Sequence, residues 1–117
     1  MKVSDLVAAL LRYDTLSARQ WVADAKRASF DWSTVERLPA LSETELALAA
    51  GVVELLAHRA GQSPPAWTRD VAEAPERVFL VKAAESMRRL RALCESEGPE
   101  PLRVRRFLAP PDFLQIA

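Results

Sequence analysis

Cysteine occurs once, at Cys94, in a chain of 117 residues. One thiol cannot close an internal disulfide, so nothing points to an oxidising compartment. Glycine is almost as scarce: Gly51, Gly61 and Gly98 stand alone. A phosphate cradle needs clustered glycines whose backbone can approach the anion, which excludes nucleotide binding by a recognised motif. Three glycines beside eight prolines also argue against a β-sandwich rich in tight turns. Histidine occurs once, at His58, 36 positions from Cys94, so no zinc-type ligand set exists. Neither sign of charge is in excess: Lys+Arg and Asp+Glu each number 16. Bulk charge therefore excludes a strongly basic nucleic-acid binder and an acidic solvating tail. Long apolar runs are missing too. The longest, from Leu46 to Val53, has eight residues, against the ~20 that span a bilayer. The run from Leu6 to Leu11 has six and is followed by Arg12 with no small-residue cleavage site, so it is not a signal peptide. The end Gln115-Ile116-Ala117 matches no lipidation signal. These absences lead to the expectation of a cytoplasmic protein without a membrane segment.

Apolar residues at 50% and charged residues at 27% are ordinary for a globular chain, and the length fits one domain. The periodicity predicts an all-α fold of five to seven helices. Ser4-Asp5 is a candidate cap for a first helix whose stripe is Leu6, Val7, Leu10 and Leu11, ending near Tyr13-Asp14. Ser17 with Gln20 fits a capping box for a second helix to about Arg27, with Trp21, Val22 and Ala25 inward. Phe30 to Ser33 is a break, and Ser33 or Thr34 is a candidate cap for a short turn ending before Pro39. Ser42 with Glu45 is the clearest capping box. It opens a helix over 43–59, stopped by Gly61. Between Leu46 and Ala57 only Glu54 is charged, so this helix is expected at the centre, covered on most sides. That demand for cover also makes a second copy of the chain a candidate partner.

A connector near 61–66, with Pro64-Pro65, separates the halves; Pro65 also suits the first turn of a short helix through Trp67 to Val71. Val78 to Val81 is short and apolar, and helix is favoured there because no partner strand is evident. A helix is expected from Glu85 to Glu97, with Met87, Leu90, Leu93 and Cys94 inward and Gly98-Pro99 as its stop. Leu102 to Leu108 reads as a short helix or an extended piece. The segment 99–117 is expected to dock, because Phe113, Leu114 and Ile116 are too apolar for a free tail.

Candidate chemistry is sparse. His58 and Arg59 at a helix end complement the helix dipole. Cys94, on an inward stripe, is expected to be an inert thiol. The acids Glu43 and Glu45, or Glu95, Glu97 and Glu100, lie at solvated helix ends. No metal, cofactor or catalytic residue is therefore expected, and the chain is read as a non-enzyme. Charge is more suggestive. Lys82 to Arg106 holds seven basic residues against four acids, a local net charge of +3. Within it Glu85–Arg89 and Arg91–Glu95 have the spacing of helical ion pairs. Arg103, Arg105 and Arg106 have only Glu100 nearby in sequence. They are candidates for contact with a protein or, as the alternative, with DNA or RNA phosphates. Trp21, Trp32 and Trp67 are many tryptophans for this length. Trp21 is expected in the core, and Trp32 and Trp67, in breaks, are expected to be half exposed. Aromatic and arginine side chains are common interface anchors.

The second half carries a likeness. Its residues are Pro64-Pro65-Ala66-Trp67-Thr68, then Val78-Phe79-Leu80, then the stretch from Met87 through Pro99-Glu100-Pro101-Leu102. Arg103-Val104-Arg105-Arg106-Phe107-Leu108 and Pro110-Pro111-Asp112-Phe113-Leu114 close it. This resembles a poorly characterised group of short helical bacterial proteins, with a central Pro-x-Trp and an arginine-rich ending. Members are encoded beside nucleotidyltransferase-like proteins in the manner of toxin–antitoxin pairs. The likeness covers 64–117, under half the chain. It implies a non-enzymatic, antitoxin-like protein that neutralises a cognate protein partner. Pro65, Trp67, Arg103, Arg105, Arg106 and Phe113 line up with the motif and become the candidate partner-binding residues.

Overall fold

A computed structural model describes residues 1–39 and 42–116. The fold is all-α, as the periodicity predicts. Among the described residues, five α-helices, α1 (Val3–Leu11), α2 (Thr15–Arg27), α3 (Glu43–Arg59), α4 (Arg88–Glu97) and α5 (Glu100–Arg103), are accompanied by short 3-10 turns at Trp32–Thr34, Ala66–Asp70 and Lys82–Glu85. α3 is the centre. Ala47 through Ala50, Val52, Val53 and Ala57 are fully buried, and the cover comes from α1, α5 and the turns of the same chain. The apolar helix therefore does not need a second copy to shield it.

Ser42 caps α3 as read, but only half of the capping box forms. Ser42 Oγ accepts from the Glu45 amide at 3.1 Å, and the Glu45 carboxylate accepts from the Ser42 hydroxyl at 3.0 Å rather than from the Ser42 amide. Other boundaries differ. α1 starts at Val3 with no side-chain cap, and Asp5 sits in its first turn, where an acid still favours the helix dipole. α2 is capped by Asp14, not Ser17. The Asp14 carboxylate accepts from the Ser17 amide at 3.1 Å, and Gln20 turns instead to Asp24. Asp31, not Ser33 or Thr34, caps the Trp32–Thr34 turn. In the last two cases an aspartate upstream outcompetes the hydroxyl residue the sequence suggested.

α1, α2 and α3 end alike. Tyr13, Ser29 and Gly61 take left-handed φ of 59°, 51° and 71°. The following amides, of Asp14, Phe30 and Gln62, reach back to Ala9, Ala25 and Ala57 at 2.9, 3.0 and 2.8 Å. This is the Schellman closure. Only the third carries the glycine that makes it readable.

The Asp14 cap has a pH signature. Hydrogen bonds from Ser17, side chain and then backbone, hold its carboxyl below the usual 3.8, with Arg12 adding to them. A depressed carboxyl stabilises the fold above its unfolded pKa. That stabilisation is lost as pH falls through the lowered folded value. The melting temperature is expected to drop as pH passes below about 3.8. Asp14→Asn, which keeps a capping oxygen, is expected to show a shallower acid limb in the same melts.

Val78 to Val81 is not helical, which corrects the sequence reading. β1 (Val78–Phe79) pairs in parallel with β2 (Phe107–Leu108), Val78 opposite Phe107. The Val78 and Leu80 amides donate to Arg106 and Leu108 carbonyls, both at 2.9 Å. A parallel pair needs a long crossover, here supplied by α4 and α5. α4 starts at Arg88 rather than Glu85, so Met87 is its cap and is 55% exposed instead of inward. Leu90 and Leu93 are half-buried and Cys94 is fully buried. Neither expected helical ion pair forms. Arg91 turns back to the Ala84 and Glu85 carbonyls, and Glu95 pairs with Arg77 at 2.9 Å. Arg77 and Arg91 each stand 5.8 Å from the Phe79 ring centre.

Segment 99–116 docks on the body. Phe113 and Leu114 are buried, Ile116 is half-buried, and Arg59 donates to the Phe113 and Pro111 carbonyls. The last residue of the expected docking segment, 117, lies outside the described residues.

Candidate functional site

Arg105 is the organising residue of the candidate region, and it faces inward. It is 7% exposed. Nη1 donates to the Glu54 carboxylate at 2.5 Å and to the Pro101 carbonyl at 3.1 Å; Nη2 donates to the Thr68 carbonyl at 2.7 Å. Nε is buried without an acceptor among the described residues. One guanidinium thus ties α3, the Ala66–Asp70 turn and α5 together. Glu54 is the single charge on the apolar stretch of α3, and this bond accounts for it.

The sequence expectation that Arg103, Arg105 and Arg106 lack neutralising neighbours is corrected for Arg105 and Arg106, while Arg103 has no ion pair among the described residues. Arg106 pairs with Glu73 at 3.1 Å and donates to the Pro75 carbonyl at 2.9 Å. Arg103 donates to the Ser96 carbonyl at 2.7 Å. These partners are distant in sequence, so local charge counting misses them. Trp67 is half-buried, and its indole N–H donates to the Val35 carbonyl at 2.7 Å. Trp32, expected half exposed, is buried at 4%. It joins Trp21 and Phe30 in an aromatic cluster with ring centres 4.7–5.8 Å apart. The Trp32 amide donates to the Gln62 side chain, whose amide nitrogen donates to the Phe30 carbonyl, so Gln62 clips the break onto the end of α3.

Of the six candidate residues, Trp67 lies in the Ala66–Asp70 turn and Pro65 caps it, and the Arg105–Thr68 bond draws that turn to the Arg103–Arg106 segment. Phe113 is buried at the other end of the tail, where Arg59 holds its carbonyl. Beside the exposed Arg106, accessible surface on this side includes a residue the sequence reading passed over. Val104 is 54% exposed. It lines a groove of about 580 Å³ with Leu55, rimmed by Pro64, Pro99, Pro101 and Pro111. Glu54, His58, Arg59 and Glu100 add charge of both signs. Four prolines hold their φ angles without entropy loss on contact, so this surface is rigid before anything binds.

His58 is exposed in the last turn of α3. Burial pushes the Cys94 thiol above its ordinary pKa, against a weaker lowering by a backbone hydrogen bond, which keeps it protonated and unreactive. Among the described residues, no three His, Cys, Asp or Glu side chains gather as a metal site requires. No described helix is long and apolar enough to cross a membrane. No protein-family model, curated protein or solved structure matches the chain.

Proposed function

We propose that this chain is a non-enzymatic protein-interaction module of a bacterial cytoplasm, antitoxin-like in role, which neutralises a nucleotidyltransferase-like partner by covering its site. The observation that supports this most is the groove of Val104 and Leu55 between four prolines. An apolar lining with charged residues of both signs among it has the make-up of a protein–protein contact. The likeness of residues 64–117 to antitoxin-like proteins points the same way. The contact is centred on Val104, with Pro65 and Arg103 at its edge. Arg105 and Phe113, aligned with the family motif, serve to hold that surface in shape.

The nucleic-acid alternative draws little from the geometry. Phosphate contacts need free cations. Arg105 is buried against Glu54 and Arg106 is engaged at the surface by Glu73, which leaves Arg103 as the one member of the cluster without an ion pair among the described residues. Affinity capture from native lysate, with nuclease in half the sample, separates the two readings. The proposal expects a stoichiometric protein that survives nuclease. Recovery of only nuclease-sensitive material would replace it with the nucleic-acid reading.

A further inference from the structure

We infer that a second groove, between α2, the Trp32–Thr34 turn and the C-terminal segment, binds an apolar carboxylate: a small molecule with a hydrocarbon body and one anionic head. The groove measures about 480 Å³, inside the ~300–1,000 Å³ range of small-molecule sites. Phe30, Trp32, Leu56 and Ile116 give it an apolar floor. Its charged lining is Lys26 and Arg59, and no described acid lines it.

The acceptors these cations reach are neutral carbonyls. Lys26 Nζ lies 3.3 Å from the Ile116 oxygen, and Arg59 donates to Phe113 and Pro111. Neither forms an ion pair among the described residues. Burial lowers the Arg59 pKa, and the charge of Asp112, outside the groove lining, only partly opposes this. A positive cleft with an aromatic floor attracts an anion and retains a hydrocarbon. A carboxylate head complements the charge of this lining. A polyanion would set unpaired charge against Phe30 and Trp32, and a cation would meet Lys26 and Arg59. The groove shares only Arg59 with the proline-rimmed one, so this inference stands apart from the partner reading.

The test is titration of the full chain with decanoate below its micellar concentration, read by calorimetry and tryptophan fluorescence. Trp32 lines the groove and Trp21 packs against it. The expected result is saturable binding of one decanoate per chain, with no binding of acetate or decylammonium at equal concentration. Lys26→Gln, at an exposed position, is expected to weaken decanoate about tenfold, the loss of one charge-assisted hydrogen bond. Ala60→Phe, at the exposed cap of α3 that lines the groove, is expected to abolish binding with the thermal melt unchanged. Equal binding of decylammonium, no saturable binding of decanoate, or affinity unchanged in both variants would each overturn the inference.

Discussion

Replacing Arg105 with alanine is expected to destabilise the fold by about 3 kcal/mol, because it removes a buried guanidinium that serves three acceptors and leaves the partly buried Glu54 carboxylate unpaired. Glu54 would lose its only ion-pair partner among the described residues, and the Thr68 and Pro101 carbonyls would lose their side-chain donor. The melting temperature should fall by about 12 °C or more, at about 4 °C per kcal/mol for a chain of this size. Arg106→Ala is expected to cost no more than about 1 kcal/mol, since both members of its pair with Glu73 are about half exposed. Urea unfolding of the two variants checks the contrast. A double variant, Glu54→Leu with Arg105→Met, should be more stable than either single change, because it removes both charges of the pair together. A surface arginine cluster would give small and equal losses at Arg105 and Arg106.

Gly98→Ala is the second large effect, and its cause is steric. A Cβ there would lie 2.6 Å from the Cys94 carbonyl oxygen and 2.7 Å from that of Ala109. Both obstacles are backbone, so no side chain can rotate away. The end of α4 and the strand leaving β2 would have to separate, at a cost of about 1–3 kcal/mol. Gly61→Ala is the useful comparison. Nothing crowds a Cβ at Gly61, yet its φ is +71°, so its cost is the left-handed strain alone, about 1 kcal/mol. Thermal melts of the two variants, with cyclic urea refolding, measure both.

Local patterns made α3 legible: a Ser–Glu box, an apolar run and a terminal glycine all fall within twenty positions. α1 and α2 were legible as helices, and α2 ends at Arg27 as read, but the start of α2 and the ends of α1 were not legible. Asp14 displaces Ser17 as cap, α1 starts at Val3 without a side-chain cap, and Tyr13 holds the left-handed position that glycine usually marks. Nothing local marks Val78–Phe79 as a strand. Its partner lies beyond two helices and was itself ambiguous between helix and extended chain. The candidate region shows the same division. Pro65, Trp67 and the arginines stand out by residue type. The bond between Arg105 and Glu54 spans 51 positions and has no sequence signal. Val104 looks like filler between arginines, and only the direction of the turn after α5 makes it the exposed residue.

The central claim, that contact with a partner runs through Val104 and the proline rim rather than the arginine cluster, has a direct measurement. Tagged wild-type, Val104→Asp and Arg106→Ala chains would be compared in nuclease-treated capture, after melts within about 1 kcal/mol of wild type show that all three are folded. The account predicts that Arg106→Ala retains the partner at full stoichiometry and Val104→Asp loses it. Full retention by Val104→Asp, with loss in Arg106→Ala, would contradict it.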